Sequence, residues 1–138
     1  MEVDFAFLAD AAEVVNGKLY VMGGAIDTIW APAVPVTHHH LAFVLRLFFS
    51  PAEVGRTHRV EIHIVDEDGK RIASISGDLS VGEQPHVPLG LAKGFLTVLS
   101  FANLAFEKFG DYSFEVLVNS FSVKGVKLRI AHRPPTAA

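Results

Sequence analysis

The sequence contains no cysteine among its 138 residues. This absence excludes disulfide bonds, thiolate zinc sites and cysteine nucleophiles, and it fits a reducing compartment, so a cytoplasmic location is expected. Charged residues are also scarce, at 20% of the chain, against about 25% in an average soluble domain. With a net charge of -3, the chain lacks the positive charge that attracts phosphate backbones, so nucleic acid is not an expected partner.

Long apolar runs are missing as well. Asp4 and Asp10 interrupt the early apolar segment, so no secretion signal is expected, and no run is long enough to cross a membrane. Hydrophobic residues nevertheless make up 50% of the chain. A single domain of this length leaves part of that apolar surface outside its core, and the surplus predicts a subunit or partner interface.

Polar and apolar residues alternate along most of the chain, which is the period of a β-strand. The alternation is clearest between Arg59 and Ile72, where it runs into and out of the turn Asp66-Glu67-Asp68-Gly69 and predicts a β-hairpin. Asn16-Gly17 predicts another hairpin near the N-terminus. Further strands are expected at residues 41–49, 95–106, 110–118 and 126–130.

Several segments are less regular. Residues 6–15 also fit a helix, because their Ala, Leu and Glu content favours one, and residues 95–106 fit either a buried strand or a short helix. The Thr and Phe content of 95–106 favours a strand. The segment from Ile26 to Trp30 predicts a kinked continuation of the second strand. Gly77 predicts a β-bulge, residues 82–94 a mobile loop, and residues 119–125 a turn.

About eight strands joined by short turns predict an all-β fold. The expected architecture is an antiparallel two-layer β-sandwich of immunoglobulin-like type, with residues 1–133 as a single domain and 134–138 as a frayed tail. The segment Gly110-Asp111-Tyr112-Ser113-Phe114 resembles a strand entry of immunoglobulin-like sandwiches, in which the Tyr hydroxyl hydrogen-bonds back to nearby backbone. Phe114 stands where such domains often have cysteine.

His38-His39-His40 is a candidate metal site, because imidazole binds zinc, nickel and copper. Adjacent residues of an extended chain point to opposite faces, so at most His38 and His40 converge. A third ligand would have to come from elsewhere, the candidates being His58, His63, His86 and His132. Because no recognised zinc spacing is present, no metal ligand is assigned, and we expect a polar loop between Pro35 and the third strand.

Asp66, Glu67, Asp68 and Gly69 resemble a fragment of a calcium loop. The flanking helices and the later glutamate of an EF-hand are missing, and turn chemistry accounts for the Asp-Gly pair. Nucleophile elbows and phosphate loops are also missing. The sequence therefore assigns no catalytic residue, cofactor or metal ligand, and the protein is expected not to be an enzyme.

Aromatic residues supply the remaining candidates. Trp30, Phe43, Phe48 and Phe49 form a candidate interface, and Tyr20 with Trp30 a candidate ligand groove. The first functional hypothesis is a non-enzymatic protein-interaction or structural module that binds a protein partner or itself as a homo-oligomer. The alternatives are a small-molecule or carbohydrate binding module and, less favoured, a histidine-dependent metalloenzyme.

The opening residues Val3–Ala12, followed by Asn16–Val21, Gly23-Gly24 and Asp27-Thr28-Ile29, resemble the start of a family of short bacterial proteins of unknown function. Members of that family share a D-x-D-G hairpin and an aromatic G-x-Y-x-F strand, here Asp66–Gly69 and Gly110–Phe114. Where a proline-containing turn is expected before that glycine, this chain has Glu107-Lys108-Phe109. The resemblance covers most of the chain and implies no activity, substrate or site residue.

Overall fold

Nine β-strands and one 3-10 turn make up the residues that the structure, a computed structural model, describes, which are 1–82 and 93–134. The strands are β1 (Glu2–Val15), β2 (Lys18–Gly24), β3 (Thr28–Ala31), β4 (Val36–Phe49), β5 (Thr57–Asp66), β6 (Arg71–Ser80), β7 (Lys93–Phe106), β8 (Gly110–Val118) and β9 (Phe121–His132); the 3-10 turn is Pro51–Glu53. The helical alternative for residues 6–15 is therefore wrong, and the strand expected at 95–106 is confirmed. Over these residues, no helix has the length and apolar character needed to span a bilayer.

The strands form two sheets, which confirms the predicted two-layer sandwich. The four-stranded sheet has the order β2-β1-β4-β7, and the five-stranded sheet has the order β3-β9-β8-β5-β6. All strand pairs are antiparallel except β3 with β9, which is parallel. The fold thus differs from the prediction in having nine strands and one parallel pair.

The parallel pair arises because the chain changes sheets after β2, so the predicted kinked continuation of the second strand is wrong. Gly23 and Ala25 both have φ of 61°, a left-handed conformation that turns the chain out of the first sheet. The Ile26 N–H then donates to the Leu8 carbonyl at 3.0 Å, and β3 pairs with the end of β9. Because only three residues separate β2 from β3, both edge strands lie on the same side of the sandwich.

The two hairpin turns predicted from short motifs are confirmed. Asn16 and Gly17 have φ of 50° and 73°, as a two-residue type I′ turn requires. In the second turn an Asp66 carboxylate oxygen accepts hydrogen bonds from the N–H groups of Asp68 (3.0 Å) and Lys70 (2.9 Å), and Gly69 has φ of 81°. Both turns form because their residues satisfy the local backbone without distant contacts.

Two local predictions need correction, and two others fall on residues that the structure does not describe. The last turn is shorter than 119–125, since Asn119 and Ser120 alone have positive φ and β9 already begins at Phe121. Gly77 is not a bulge, because it pairs regularly with Val60; the irregularity of β5 and β6 lies between Ile64 and Val65. The predicted mobile loop at 82–94 and frayed tail at 134–138 fall almost entirely outside the described residues.

Aromatic side chains join the two sheets at the centre of the core. Phe43 of β4 and Phe114 of β8 are fully buried, with ring centroids 5.8 Å apart and planes at 7°. Phe101 of β7 meets Phe114 edge-on at 5.7 Å. Nearby, the Tyr112 hydroxyl donates to the Lys108 carbonyl at 2.9 Å, which is the backbone contact that the G-x-Y-x-F strand predicts.

Candidate interaction face of the four-stranded sheet

The outward side of the four-stranded sheet is lined by apolar residues. Val44 lies between Phe7 of β1 and Val98 of β7, and Arg46 lies between Phe5 and Leu96. Residues directly opposite in paired strands share one face of the sheet. Since Phe43, Leu45 and Leu8 belong to the core, their chain neighbours point away from it. We call this surface the apolar outer face; its residues are Phe5, Phe7, Val44, Phe48, Leu96 and Val98.

The side chains at the rim of the apolar outer face are half-buried by one another. Phe5 and Phe7 stack with ring centroids 5.9 Å apart, and Phe48 lies under the Arg46 guanidinium, whose central carbon is 5.1 Å from the ring centroid. Arg46 is also paired with Asp4, with Nε 3.7 Å from the carboxylate. The charge of Arg46 is thus locally neutralised, and the exposed Glu2, opposite Phe48, adds a carboxylate at the end of a face that is otherwise mainly apolar.

β1 and β2 carry the same face beyond the sandwich. β1 pairs with β4 as far as Ala9 and with β2 from Ala9 to Val15, so residues 10–24 form a two-stranded arm. Met22 lies opposite Ala11 and Tyr20 opposite Glu13, on the side of the sheet that also holds Phe7. Met22 is 73% exposed and Tyr20 57%, which extends the apolar outer face onto the arm.

The outward side of the five-stranded sheet has the opposite chemistry. We call it the polar outer face; it contains Arg59, Glu61, His63, Val65, Asp111, Ser113, Glu115, Leu117, Lys127 and Arg129, with Trp30 at its β3 edge. Its charges pair across and along strands, with Arg129 Nε 2.9 Å from the Asp111 carboxylate and Arg59 Nε 3.2 Å from that of Glu61. An antiparallel sheet with one solvated face is expected to look like this, which makes the apolar outer face the unusual one.

The three adjacent histidines lie in β4, not in the loop that the sequence predicts. β4 begins at Val36 and pairs with β7 through this region. His39 Nδ1 lies 3.2 Å from the Asn103 side-chain oxygen, and His40 Nδ1 lies 2.7 Å from the Asp10 carbonyl. The carbonyl can only accept, so His40 donates and helps hold the base of the arm.

The other candidate ligands are dispersed. His58 Nε2 lies 2.9 Å from the Glu53 carbonyl, and its Nδ1 lies 3.0 Å from the Asn119 amide nitrogen. His63 faces Glu61, and His86 is outside the described residues. Across residues 1–82 and 93–134, no three His, Asp or Glu side chains are grouped to hold a metal ion.

Lysine occupies the place near the 66–69 turn that a calcium ion would need. Lys108 Nζ lies 3.3 Å from the Asp66 carboxylate and 2.9 Å from that of Asp68. The hydrogen bond from the Lys70 N–H and, with it, the Lys108 ammonium lower the pKa of Asp66 against the effect of burial. Hydrogen bonds to Asp68 and Asp66 raise the pKa of Lys108. The carboxylates therefore bind a cation of the chain itself and tie two turns together.

In the part of the chain that the structure describes, cavities adjoin both the inter-sheet core and the 66–69 turn. An apolar cavity of about 190 Å³ lies between β6 and β7 and is lined by residues such as Leu45, Ile62, Leu79, Phe95 and Leu99. A polar cavity of about 430 Å³ adjoins the 66–69 turn and is lined by groups of both charges, including Asp66, Arg71, Glu107 and Lys108. Tyr20 and Trp30 line neither, so the predicted ligand groove is not formed around them in either cavity.

The predicted interface residues are distributed over different environments. Phe43 and Phe49 are fully buried, so a partner cannot reach them without unfolding the domain. Phe48 lies on the apolar outer face, and Trp30 is 55% exposed on β3 with the Arg133 guanidinium 5.3 Å from its ring. Sequence reasoning missed Phe5, Phe7, Leu96 and Val98. The sequences of β1 and β7 are apolar at successive positions, which indicates strands with apolar side chains on both faces.

Comparison with known proteins identifies a family but no activity. The model of a family described as a family of unknown function (DUF6941) matches residues 4–131. No curated protein is similar enough in sequence to match. A solved structure titled as a glycosyl hydrolase family 2 (GH2) member from Bacteroides cellulosilyticus DSM 14838 is 13% identical, with a TM-score of 0.38 over 70% of this chain and 14% of that chain. A likeness at that level carries no argument about fold or function.

Proposed function

The chain belongs to the family of unknown function (DUF6941), and from that premise we propose that it is a non-enzymatic protein-interaction module that self-associates through the apolar outer face. The resemblance to an uncharacterised family seen in the opening residues agrees with this membership. Membership assigns no chemistry, so the proposal depends on the surface itself. The observation that carries it is the contrast between an apolar and a charged outer face on one sandwich.

Burial of the apolar outer face would release enough free energy to support a dimer. Fully burying one Phe, Leu, Val or Met side chain stabilises by roughly 1.5–3 kcal/mol. Val44 is already fully buried and adds nothing, whereas the other five side chains of this face are half-buried, so each contributes a fraction of that. Met22 and Tyr20 lie beside them. Their sum is comparable with the roughly 4–15 kcal/mol that association costs, which favours a reversible, concentration-dependent complex.

A second copy of the chain is the partner that fits this surface most simply. The strands β1, β4 and β7, about 4.8 Å apart and paired over roughly 20 Å, present about 300 Å² of flat surface per copy, and the two-stranded arm adds roughly 200 Å². Doubling that for two copies approaches the roughly 1,000 Å² that a specific interface buries. Because Arg46 is neutralised by Asp4 within one copy, the charge of Arg46 does not oppose association of two such faces.

Sedimentation velocity over a range of concentrations tests the proposal. We expect the wild-type protein to associate reversibly and Val98→Lys, on the apolar outer face, to raise the dissociation constant about tenfold or more, since an uncompensated charge would be buried. The matched control is Leu117→Lys, because Leu117 is also half-buried and faces outward, but on the polar outer face. A wild-type protein that stays monomeric, or equal effects of the two variants, would contradict the proposal.

The apolar cavity favours a second candidate function, the binding of a small apolar molecule. Its volume of about 190 Å³ is similar to the roughly 150 Å³ of an engineered apolar cavity that holds benzene, and it opens to solvent on one side. Titration with indole by calorimetry tests this function, with Val60→Phe as the variant that fills the space. Binding to wild type and its loss in Val60→Phe are expected, whereas equal binding to both proteins would contradict this candidate. The apolar lining argues against a carbohydrate ligand.

We also propose that the sandwich is immunoglobulin-like and that the protein is bacterial and cytoplasmic. The Tyr112 hydroxyl contact with the Lys108 carbonyl supports an immunoglobulin-like sandwich. The cysteine-free composition supports a cytoplasmic location. A bacterial origin is supported by the resemblance of the opening residues alone.

A further inference from the structure

The four edge strands of the sandwich differ in how well they are protected against pairing with another chain. An edge strand presents free N–H and C=O groups unless charge, proline or irregular backbone blocks them. β3 has four residues and is followed by Pro32, β6 carries Arg71 and Asp78, and β7 contains Asn103 with φ of 54°. From Leu19 to Gly24, β2 carries neither charge nor proline. Residues 94–102 of β7 also lack charge and proline, so β2 is one of two weakly protected edges.

The turn of the arm determines which backbone groups of β2 face the free edge. Val15 and Lys18 flank the two-residue type I′ turn and are paired, so they exchange backbone hydrogen bonds. Bonded and non-bonded pairs alternate along an antiparallel ladder. Tyr20 and Met22 therefore bond to β1, while Leu19, Val21 and Gly23 direct their N–H and C=O groups outward.

We propose that β2 pairs antiparallel with β2 of a second copy, with Val21 opposite the partner's Val21, joining the two four-stranded sheets into one continuous sheet. The proposal shares with the proposed function the idea of self-association and the side chains of Tyr20 and Met22, but the outward backbone groups of β2 carry it. A two-fold axis through the Val21 pair makes every contact occur twice. This register uses the outward groups of β2 on both copies.

Side-chain sizes across this register are complementary. Leu19 lies opposite the partner's Gly23, which has no side chain to oppose it, and Tyr20 lies opposite the partner's Met22, a favourable aromatic and thioether pair. Both Tyr20 and Met22 are largely exposed in one copy and would cover each other in the pair. Gly23, with φ of 61°, departs from strand geometry, so the central Val21 pair contributes most of the hydrogen bonding.

The size of this contact sets the expected strength. A seven-residue strand pair buries less than the roughly 1,000 Å² of a stable interface, so the edge contact alone is expected to be weak. Together with the apolar outer face, it would assemble more than two copies. The mass of the assembly that each variant forms therefore shows which of the two contacts has been lost.

Removing one backbone donor tests the edge contact. Val21→Pro deletes the outward N–H but leaves the bonds of β2 to β1, since an edge strand tolerates proline where the N–H faces solvent. Val21→Thr is the matched control, because it keeps the N–H and a β-branched side chain. Light scattering is expected to show wild type and Val21→Thr above dimer mass, Val21→Pro at no more than a dimer, and Val98→Lys also at no more than a dimer.

Disulfide trapping tests the register independently of assembly strength. The chain has no cysteine, so one introduced thiol gives a clean readout. Val21→Cys is expected to form a covalent dimer on mild oxidation, because directly opposed residues have Cα atoms about 5.5 Å apart. Met22→Cys is the control: it is more exposed, but its symmetry mate is displaced by two residues, beyond the roughly 7 Å limit for a disulfide.

The outcomes separate the two interfaces. If Val21→Pro retains the wild-type mass, or if Met22→Cys crosslinks as readily as Val21→Cys, the edge contact is wrong and the apolar outer face stands. If Val98→Lys retains the wild-type mass while Val21→Cys crosslinks, the proposed function fails and the edge contact stands. Loss of association in both Val21→Pro and Val21→Thr, or pairing of β2 with a different protein only, would also overturn the edge contact.

Discussion

The two outer faces of this sandwich show that strand alternation and surface chemistry are separate properties. On the polar outer face, β5, β8 and β9 alternate core residues with charged residues that form ion pairs such as Arg129 with Asp111. On the apolar outer face, β1, β4 and β7 place Phe7, Val44 and Val98 where the same pattern would place charges. Both sheets are built alike inside, so the difference lies in their outer faces, and the proposed contact through the four-stranded sheet rests on it.

The largest expected effect is the difference in unfolding free energy lost when a ring is removed from the core or from an outer face. Phe114→Ala removes the ring that stacks on Phe43 and meets Phe101, and its loss should lower the free energy of unfolding by about 3–5 kcal/mol. Phe5→Ala, on the apolar outer face, should cost less than about 1.5 kcal/mol, because its ring is half-buried. Urea unfolding of both variants at low protein concentration measures this, and equal costs would show that the outer face serves monomer stability instead.

Acid should weaken the fold through the ion pair between the Met1 ammonium and Glu53. Burial raises the pKa of Glu53, but hydrogen bonds from the Met1 ammonium and from Ser50 outweigh it and lower the pKa from 4.5 to about 2. Since the folded pKa lies below the unfolded one, this stabilisation is present above pH 4.5 and disappears as the pH falls toward 2.

The expected loss is about 1–3 kcal/mol of unfolding free energy between pH 5 and pH 2, after allowing for partial solvent screening. Glu53→Gln should remove that part of the pH dependence in urea unfolding experiments. Glu13→Gln, on the exposed arm, is the control and should leave it unchanged. An unaltered acid dependence in Glu53→Gln would contradict the assignment. Self-association of the wild type and its variants is therefore best measured above pH 5, where the Met1–Glu53 ion pair is intact.

Two tyrosines offer a matched comparison between the core and the apolar outer face. Tyr112→Phe removes the buried hydroxyl that donates to the Lys108 carbonyl and should cost about 0.5–1.5 kcal/mol. Tyr20→Phe removes an exposed hydroxyl and should change the unfolding free energy by less than about 0.5 kcal/mol. Thermal unfolding checks both, and a larger effect at Tyr20 would place the arm in the folding core.

The smallest expected effect concerns the polar outer face. The hydrogen bond from Arg129 lowers the pKa of Asp111, and the carboxylate in turn raises the pKa of Arg129. The contribution of this pair is present above the ordinary carboxyl pKa and is lost as the pH falls. Carboxyl-carbon NMR titration should show Asp111 titrating low, with Arg129→Gln returning it toward its ordinary range. An unchanged titration in Arg129→Gln would show that the ion pair is absent in solution.

Local sequence signals account for much of the fold. Asn16-Gly17 and Asp66–Gly69 specify their turns through backbone chemistry confined to a few residues, so both hairpins could be predicted. The crossing from β2 to β3 could not, because it depends on the conformation of Ala25 and on pairing with β9, more than 100 residues later in the chain. The helical alternative for 6–15 failed since pairing with β2 and β4 overrides intrinsic helix propensity.

The sequence could predict that an apolar contact surface exists, but not which residues form it. The surplus of apolar residues indicated a contact surface, but the sequence of β4 is apolar on both sides, and only the pairing shows that Phe43 and Phe49 face the core while Phe48 faces outward. The histidines of β4 were misplaced because their side chains are not strand signals; pairing with β7 makes that segment extended. A side chain's face depends on register, which requires the partner strand.

Methyl NMR spectra recorded during dilution test the central claim most directly. If two copies meet through the apolar outer face, the methyl signals of Leu96 and Val98 should shift with protein concentration, while those of Leu117 and Val65 on the polar outer face stay fixed. Shifts at Leu117 and Val65 with unchanged signals at Leu96 and Val98, or no shift at any methyl group up to the solubility limit, would contradict the account.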